Sequence, residues 1–247
     1  MGMFDNVGTS ANVAAETDRV KGAKKEMLPS DIYTLTIKHA FVQKSKGGAM
    51  GVVLSLMTED DREIRMTEYI TSGDAKGNKT YYEKEKDGKK EQYALPGFTL
   101  IDGLALVTLG KSILQCADEK RTIKLYNFDA KTEVPTEVDM LVELVGKKVL
   151  GAVLNQIQDK TARNDATGQY EPTGQTYSTN VVDKFLNESV RKTAVEIANN
   201  VDATFADAWL AKWKGQIDDQ STEVKGAGIK GAPAASGAAA PKANLFA

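Results

Sequence analysis

The sequence predicts a mainly β fold with helices, an α+β chain organised around five strands. Three observations predict it: an alternating three-strand meander over 32–70, an apolar helix near 99–109, and a second strand pair over 148–186. Apolar residues recurring at period two mark half-buried strands, and recurrence at 3.6 residues marks helices.

The meander opens at Ile32. Through Val42, Tyr33, Leu35, Ile37, His39 and Phe41 fall on one face, with Thr34, Thr36 and Lys38 opposite. Lys44-Ser45-Lys46-Gly47-Gly48 turns the chain into Met50–Met57, where Val52, Leu54 and Leu56 share a face. A polar turn at Glu59-Asp60-Asp61 leads to the third strand, Glu63–Ile70. Residues 71–92 are a polar insertion dense in Gly, Lys and Glu, holding Tyr81 and Tyr82 with Tyr93 just beyond. Insertions of that length are functional or disordered.

After Leu95-Pro96-Gly97, the spacing of Thr99 and Asp102 matches a capping box and predicts a helix to about Leu109, with Gly110 near its end. The same spacing at Thr136 and Asp139, after Pro135, predicts a short helix closed by Gly146. Lys148–Gln158 carries β-branched and aliphatic residues on both faces, as a buried central strand does. A polar loop over 159–176 then joins it to a partner strand, Thr179–Leu186. Two helices follow, near 188–199 and from Thr204, the second burying Phe205, Trp209 and Trp213 on one side.

Residues 1–27 lack apolar periodicity and read as a flexible arm, and 28–214 as the folded unit. The Ala, Gly, Pro and Lys of 215–247 cannot bury enough surface to order themselves and read as a disordered tail. Five strands with a helix between the third and fourth is the layout of an OB-type barrel, which is partly open. Other small α+β sheets share that order.

Composition narrows function by exclusion. One cysteine, Cys116, and one histidine, His39, leave no set of soft ligands for a transition metal and no nucleophile–base pair. Gly110-Lys111-Ser112 resembles the end of a phosphate-binding loop, but residue 105 is alanine where that loop needs glycine. No enzyme activity, metal or cofactor is expected. With no apolar run of 18 residues and no apolar leader, the chain reads as cytoplasmic and without a membrane partner.

A protein that holds unpaired nucleic acid needs cations for phosphates and flat rings for bases. The densest local match is 71–98, where lysines including Lys79 surround Tyr81, Tyr82 and Tyr93. Lys160, Arg163 and Tyr170 form a second match, and Lys44 and Lys46 a third. Arg65 and Tyr69 on the third strand complete the candidate set, since in OB-type barrels strands two and three and the 1–2 and 4–5 loops line the cleft. Against it stand Glu83, Glu85, Asp87 and Glu91, interleaved as in any solvated loop, and a net charge of −2.

Four segments carry a resemblance: Gln43–Met50, Tyr93–Phe98, Glu133–Val138 and Gln158–Thr161. Over about 30–215 the chain resembles the single-stranded DNA-binding proteins of tailed bacteriophage replication modules, as does its low-complexity tail. The resemblance implies an OB-like core that coats single strands during phage DNA replication or recombination in the bacterial host cytoplasm. It also implies that the tip Asn244-Leu245-Phe246-Ala247 recruits phage replication proteins or competes with DNA. Relatives with strongly acidic tails differ from this chain, whose Asp218, Asp219 and Glu223 are balanced by Lys225, Lys230 and Lys242. Docking of Leu245 and Phe246 in a partner groove therefore fits better than charge mimicry. Assembly into a homo-oligomer is left open, and the alternative is a replication or recombination accessory module that binds proteins and not DNA.

Overall fold

The computed structural model describes residues 26–86, 88–127 and 130–222. The meander consists of β1 (Asp31–Lys44), β2 (Met50–Thr58) and β3 (Glu63–Tyr69), paired antiparallel in that order. Two hairpins follow the meander: β4 (Tyr81–Lys86) with β5 (Lys89–Ala94), then, after helix α1 (Pro96–Leu109), β6 (Glu119–Asn127) with β7 (Thr132–Met140). The long strands β8 (Lys148–Arg163) and β9 (Tyr170–Leu186) form a third, with α2 (Ala194–Ala198), α3 (Phe205–Trp213) and the short β10 (Ile217–Asp219) closing the order. The fold is mainly β with few helices.

β1 is the hub because its two edges serve different partners. Its first half pairs with β8 from Asp31↔Val153 to Thr36↔Lys148, and its second half with β2 from Leu35↔Thr58 to Lys44↔Met50. The path β3–β2–β1–β8–β9 places Ile64 and Arg65 of β3 beside Thr179 and Asn180 of β9 in one cavity. No ladder joins β3 to β9, so the sheet is not closed into the expected barrel.

The main core lies between α1 and the inner sheet face. Leu35, Ile37, Val52, Leu54, Leu56, Val149, Val153 and Phe185 meet Ile101, Leu104 and Ala105 there. α1 can approach β3 closely only because residue 97 is glycine: a Cβ would lie 2.4 Å from the Tyr69 carbonyl oxygen. On the other side of β8, α3 packs Ala206 and Trp209 against Leu150, Ala152, Leu154 and Leu186, and the Trp209 indole donates to Asp183 Oδ2 at 2.8 Å.

Several expectations are corrected. The alternation along β1 breaks at a bulge between Ile37 and His39. One unpaired residue reverses every later side chain. Leu35 and Ile37 therefore face the main core, while Phe41 packs in a separate cluster with Val138 and Met140. The helix expected at Thr136–Gly146 is strand β7 followed by a turn, because Val138 and Met140 alternate against Phe41. α1 begins at Pro96, not Thr99, and the Asp102 carboxylate instead accepts from Ser112 Oγ (2.5 Å) and Ile113 N (2.9 Å). The polar stretches 71–92 and 159–176 are largely strand. Residues 215–222, assigned to the tail, are held to the fold: Gly215 N donates to the Ser30 carbonyl at 2.8 Å, and β10 runs parallel to β8. The tip Asn244–Ala247 lies outside the described residues, as does most of the N-terminal arm.

Candidate nucleic-acid interface

Beyond the bulge, the outer face of β1–β2–β3 carries three rows across the strands: His39–Ser55–Arg65, Phe41–Val53–Thr67 and Gln43–Gly51–Tyr69. Each residue in a row points the same way because side chains of paired positions share a face. Tyr69 is 45% exposed and its ring lies over Gly51, where a Cβ would come within 3.1 Å of it.

The β6–β7 hairpin covers part of this face through Ile123 and Leu125, which pack on Phe41 and Val53. A cleft of about 360 Å³ remains, with His39, Ser55 and Arg65 on the sheet side and Lys124, Leu125 and Glu133 on the hairpin side. Burial, then the neighbouring Lys38 charge, lowers the His39 pKa, so the ring favours its neutral form. Glu63 accepts from Ser55 Oγ (2.5 Å) and pairs with Arg65 Nε (3.1 Å). Burial opposes the charge on Glu63, yet these bonds outweigh it and lower its pKa. Arg65 is thus aimed along the face while 64% of its side chain stays exposed.

One end of the sheet gathers most of the expected residues. The turn holding Lys44 and Lys46 docks on 73–79: Asp74 N donates to the Gly47 carbonyl at 2.9 Å, and Gly48 takes φ 78 with Asp74 directly against its Cα. Met50 N also donates to Thr71 Oγ1 at 2.9 Å. The same segment roots the β4–β5 hairpin, since Ser72 N donates to the Lys79 carbonyl and Leu95 N to the Thr80 carbonyl, both at 2.9 Å. Lys44, Lys46, Tyr69, Lys79, Tyr81, Tyr82 and Tyr93 thereby belong to one end of the molecule. Tyr82 and Tyr93 stack on each other, while the Lys79 ammonium lies 5.3 Å from the Tyr81 ring centre.

Lys160, Arg163 and Tyr170 lie elsewhere. Val153 of β8 pairs with Asp31, the first residue of β1, and the β8–β9 ribbon continues past that point. The ribbon therefore leaves from the opposite end of β1 to Lys44, and Arg65 stands between the two groups. Among the described residues, Lys44, Lys46, Lys160 and Arg163 have no carboxylate partner, whereas Lys79 faces Glu83 at 3.9 Å. Unpaired cations keep their full charge for an anionic ligand.

Sequence reasoning missed the cleft under β6–β7. Its signal was present in Ile123 and Leu125 alternating with Thr122, Lys124 and Tyr126. Among the described residues, no group of three or more His, Cys, Asp or Glu side chains is placed to hold a metal ion, and no helix is long and apolar enough to cross a membrane. No protein-family model matches the chain, and no curated protein matches it.

Proposed function

We propose that the chain binds single-stranded DNA without sequence preference, along the outer face of β1–β2–β3, on an OB-like frame left open between β3 and β9. The observation that carries this reading is the junction of the Lys44–Lys46 turn with the root of the β4–β5 hairpin, which collects four tyrosines and unpaired lysines around one end of an exposed sheet face. Tyr69, Tyr81, Tyr82 and Tyr93 offer rings to unstacked bases, each stack contributing roughly 1–3 kcal/mol. Lys44, Lys46 and Arg65 meet phosphates there, and Lys160 and Arg163 meet them at the far end. The role is to coat and protect single strands during phage DNA replication or recombination in the host cytoplasm.

Fluorescence polarisation of labelled oligo-dT at two salt concentrations tests it. Affinity falls steeply as salt rises, because phosphate contacts release counterions. Absent binding, or binding indifferent to salt, removes the reading.

One observation favours an accessory protein-binding module instead. An apolar groove of about 310 Å³ runs between α1 and α2, lined by Phe98, Leu106, Ala194 and Val195, with Val195 61% exposed. A chain of that kind leaves oligo-dT polarisation unchanged at every protein concentration.

A further inference from the structure

The chain enters the fold along the seam between β3 and β9. Leu28 N donates to Asn180 Oδ1 and the Leu28 carbonyl accepts from Asn180 Nδ2, both at 2.9 Å, while the Leu28 side chain sits in the main core at 4% exposure. On the β3 side, Arg62 donates to the Glu26 carbonyl at 3.5 Å. These contacts fix the point from which the preceding residues depart. Glu26 and Leu28 share a cavity of about 160 Å³ with Arg62 and Arg65, and the same Arg65 borders the cleft under β6–β7. The departure point therefore adjoins the middle of the outer face.

The seven residues before Glu26 are Arg19-Val20-Lys21-Gly22-Ala23-Lys24-Lys25. They hold four cations and no carboxylate, and no other carboxylate-free stretch of the chain holds as many. Residues 1–18 contain Asp5, Glu16 and Asp18 and no Lys or Arg, so positive charge is concentrated next to the anchor. At about 3.3 Å per extended residue, all four cations fall within roughly 23 Å of Glu26.

We propose that Arg19, Lys21, Lys24 and Lys25 form a phosphate-binding strap that reaches from the β3–β9 seam onto a single strand lying beside Arg65. The inference rests on the single-stranded DNA reading above. The ligand chemistry is the phosphodiester backbone, recognised by charge and without base identity. The strap supplies cations to the middle of a path whose other unpaired cations lie at its two ends.

The test compares the full-length chain with a variant carrying Arg19→Ala, Lys21→Ala, Lys24→Ala and Lys25→Ala, titrating labelled oligo-dT across a salt series. Each phosphate contact on a single strand contributes about 0.7 to the slope of log K against log salt, so losing four flattens it by roughly 2 to 3. The expected result is a large affinity loss at low salt that narrows at high salt, with an unchanged thermal midpoint. Equal slopes for two chains that both bind oligo-dT overturn the strap alone. No binding by the unaltered chain overturns the strap together with the function it serves.

Discussion

Tyr82 and Tyr93 stand directly opposite each other across the β4–β5 hairpin and stack, with 5.8 Å between ring centres and 26° between planes. Each ring is held by its neighbour, and Tyr93 is further fixed by donating its hydroxyl proton to Glu91. Such a pair presents a rigid platform, and its energetic contribution belongs to both members.

That pairing makes the two positions non-additive. Tyr82→Ala and Tyr93→Ala should each weaken oligo-dT binding by about tenfold, within the roughly 1–3 kcal/mol of a base stack, and the double variant should be little worse than either. Polarisation titrations of the three variants measure this. Losses that simply add would mean that each ring acts alone.

Placement of cations at opposite ends of β1 implies a dependence on oligonucleotide length. Lys44→Ala/Lys46→Ala should weaken binding at every length, since most of the rings lie at that end. Lys160→Ala/Arg163→Ala should spare the shortest oligonucleotides that bind and weaken longer ones. A dT length series reads out the threshold. Identical behaviour of both variants at all lengths would refute a path along β1.

The junction itself can be broken at one glycine. Gly48 has φ 78, and a Cβ there would lie 1.9 Å from Asp74 Oδ2. Gly48→Ala must displace Asp74 and separate the turn from the hairpin root. Backbone strain and the clash together cost on the order of 1–3 kcal/mol. Adding Asp74→Ala removes the clash but not the strain, so it should restore part of the thermal midpoint. A double variant no more stable than Gly48→Ala would show that the contact does not join these segments.

Legibility in the sequence followed apolar periodicity. The meander, the β8–β9 pair and α3 were readable because Val52, Leu54 and Leu56, or Phe205, Trp209 and Trp213, repeat at the period of their element. The facing of His39 and Phe41 was not, because a bulge at Lys38 leaves no mark in a pattern whose residues before and after it are both apolar. Thr136 and Asp139 mimicked a helix cap, and only the packing of Val138 and Met140 on Phe41 decides for strand. The lysines and tyrosines of the candidate interface were readable by type. Their grouping was not: Lys44 and Lys79 meet through backbone bonds of Gly47 and Asp74, and β4–β5 alternates Lys and Glu, which carries no burial signal.

The bulge gives its own prediction. Lys38 is exposed, so Lys38→Ala should be nearly neutral in a thermal melt. Deleting Lys38 forces the rest of β1 onto the opposite face, taking Ala40 out of the main core and Phe41 out of its cluster. Removing a buried aromatic from its site costs about 3–5 kcal/mol, so the deletion should be severely destabilising. A deletion variant that melts like the unaltered chain would mean that the register beyond Ile37 is not fixed by burial.

Glu196 links α2 to α3 and should set the acid limit of stability. Its side chain is 6% exposed and accepts from Thr193 N (2.8 Å), Thr204 N (2.8 Å) and Phe205 N (2.7 Å). Burial pushes the carboxyl up, and the hydrogen bonds outweigh it, holding its pKa at about 2 against the ordinary 4.5. A depressed folded-state pKa favours the charged form in the fold. Its contribution is therefore complete above about pH 4.5 and is lost as pH falls toward 2. At about 1.4 kcal/mol per unit, the amount is on the order of 3 kcal/mol. Thermal melts should show the unaltered chain losing stability through that window. Glu196→Gln should be less stable at neutral pH and lose less on acidification, so parallel curves for the two chains would remove Glu196 as the titrating group.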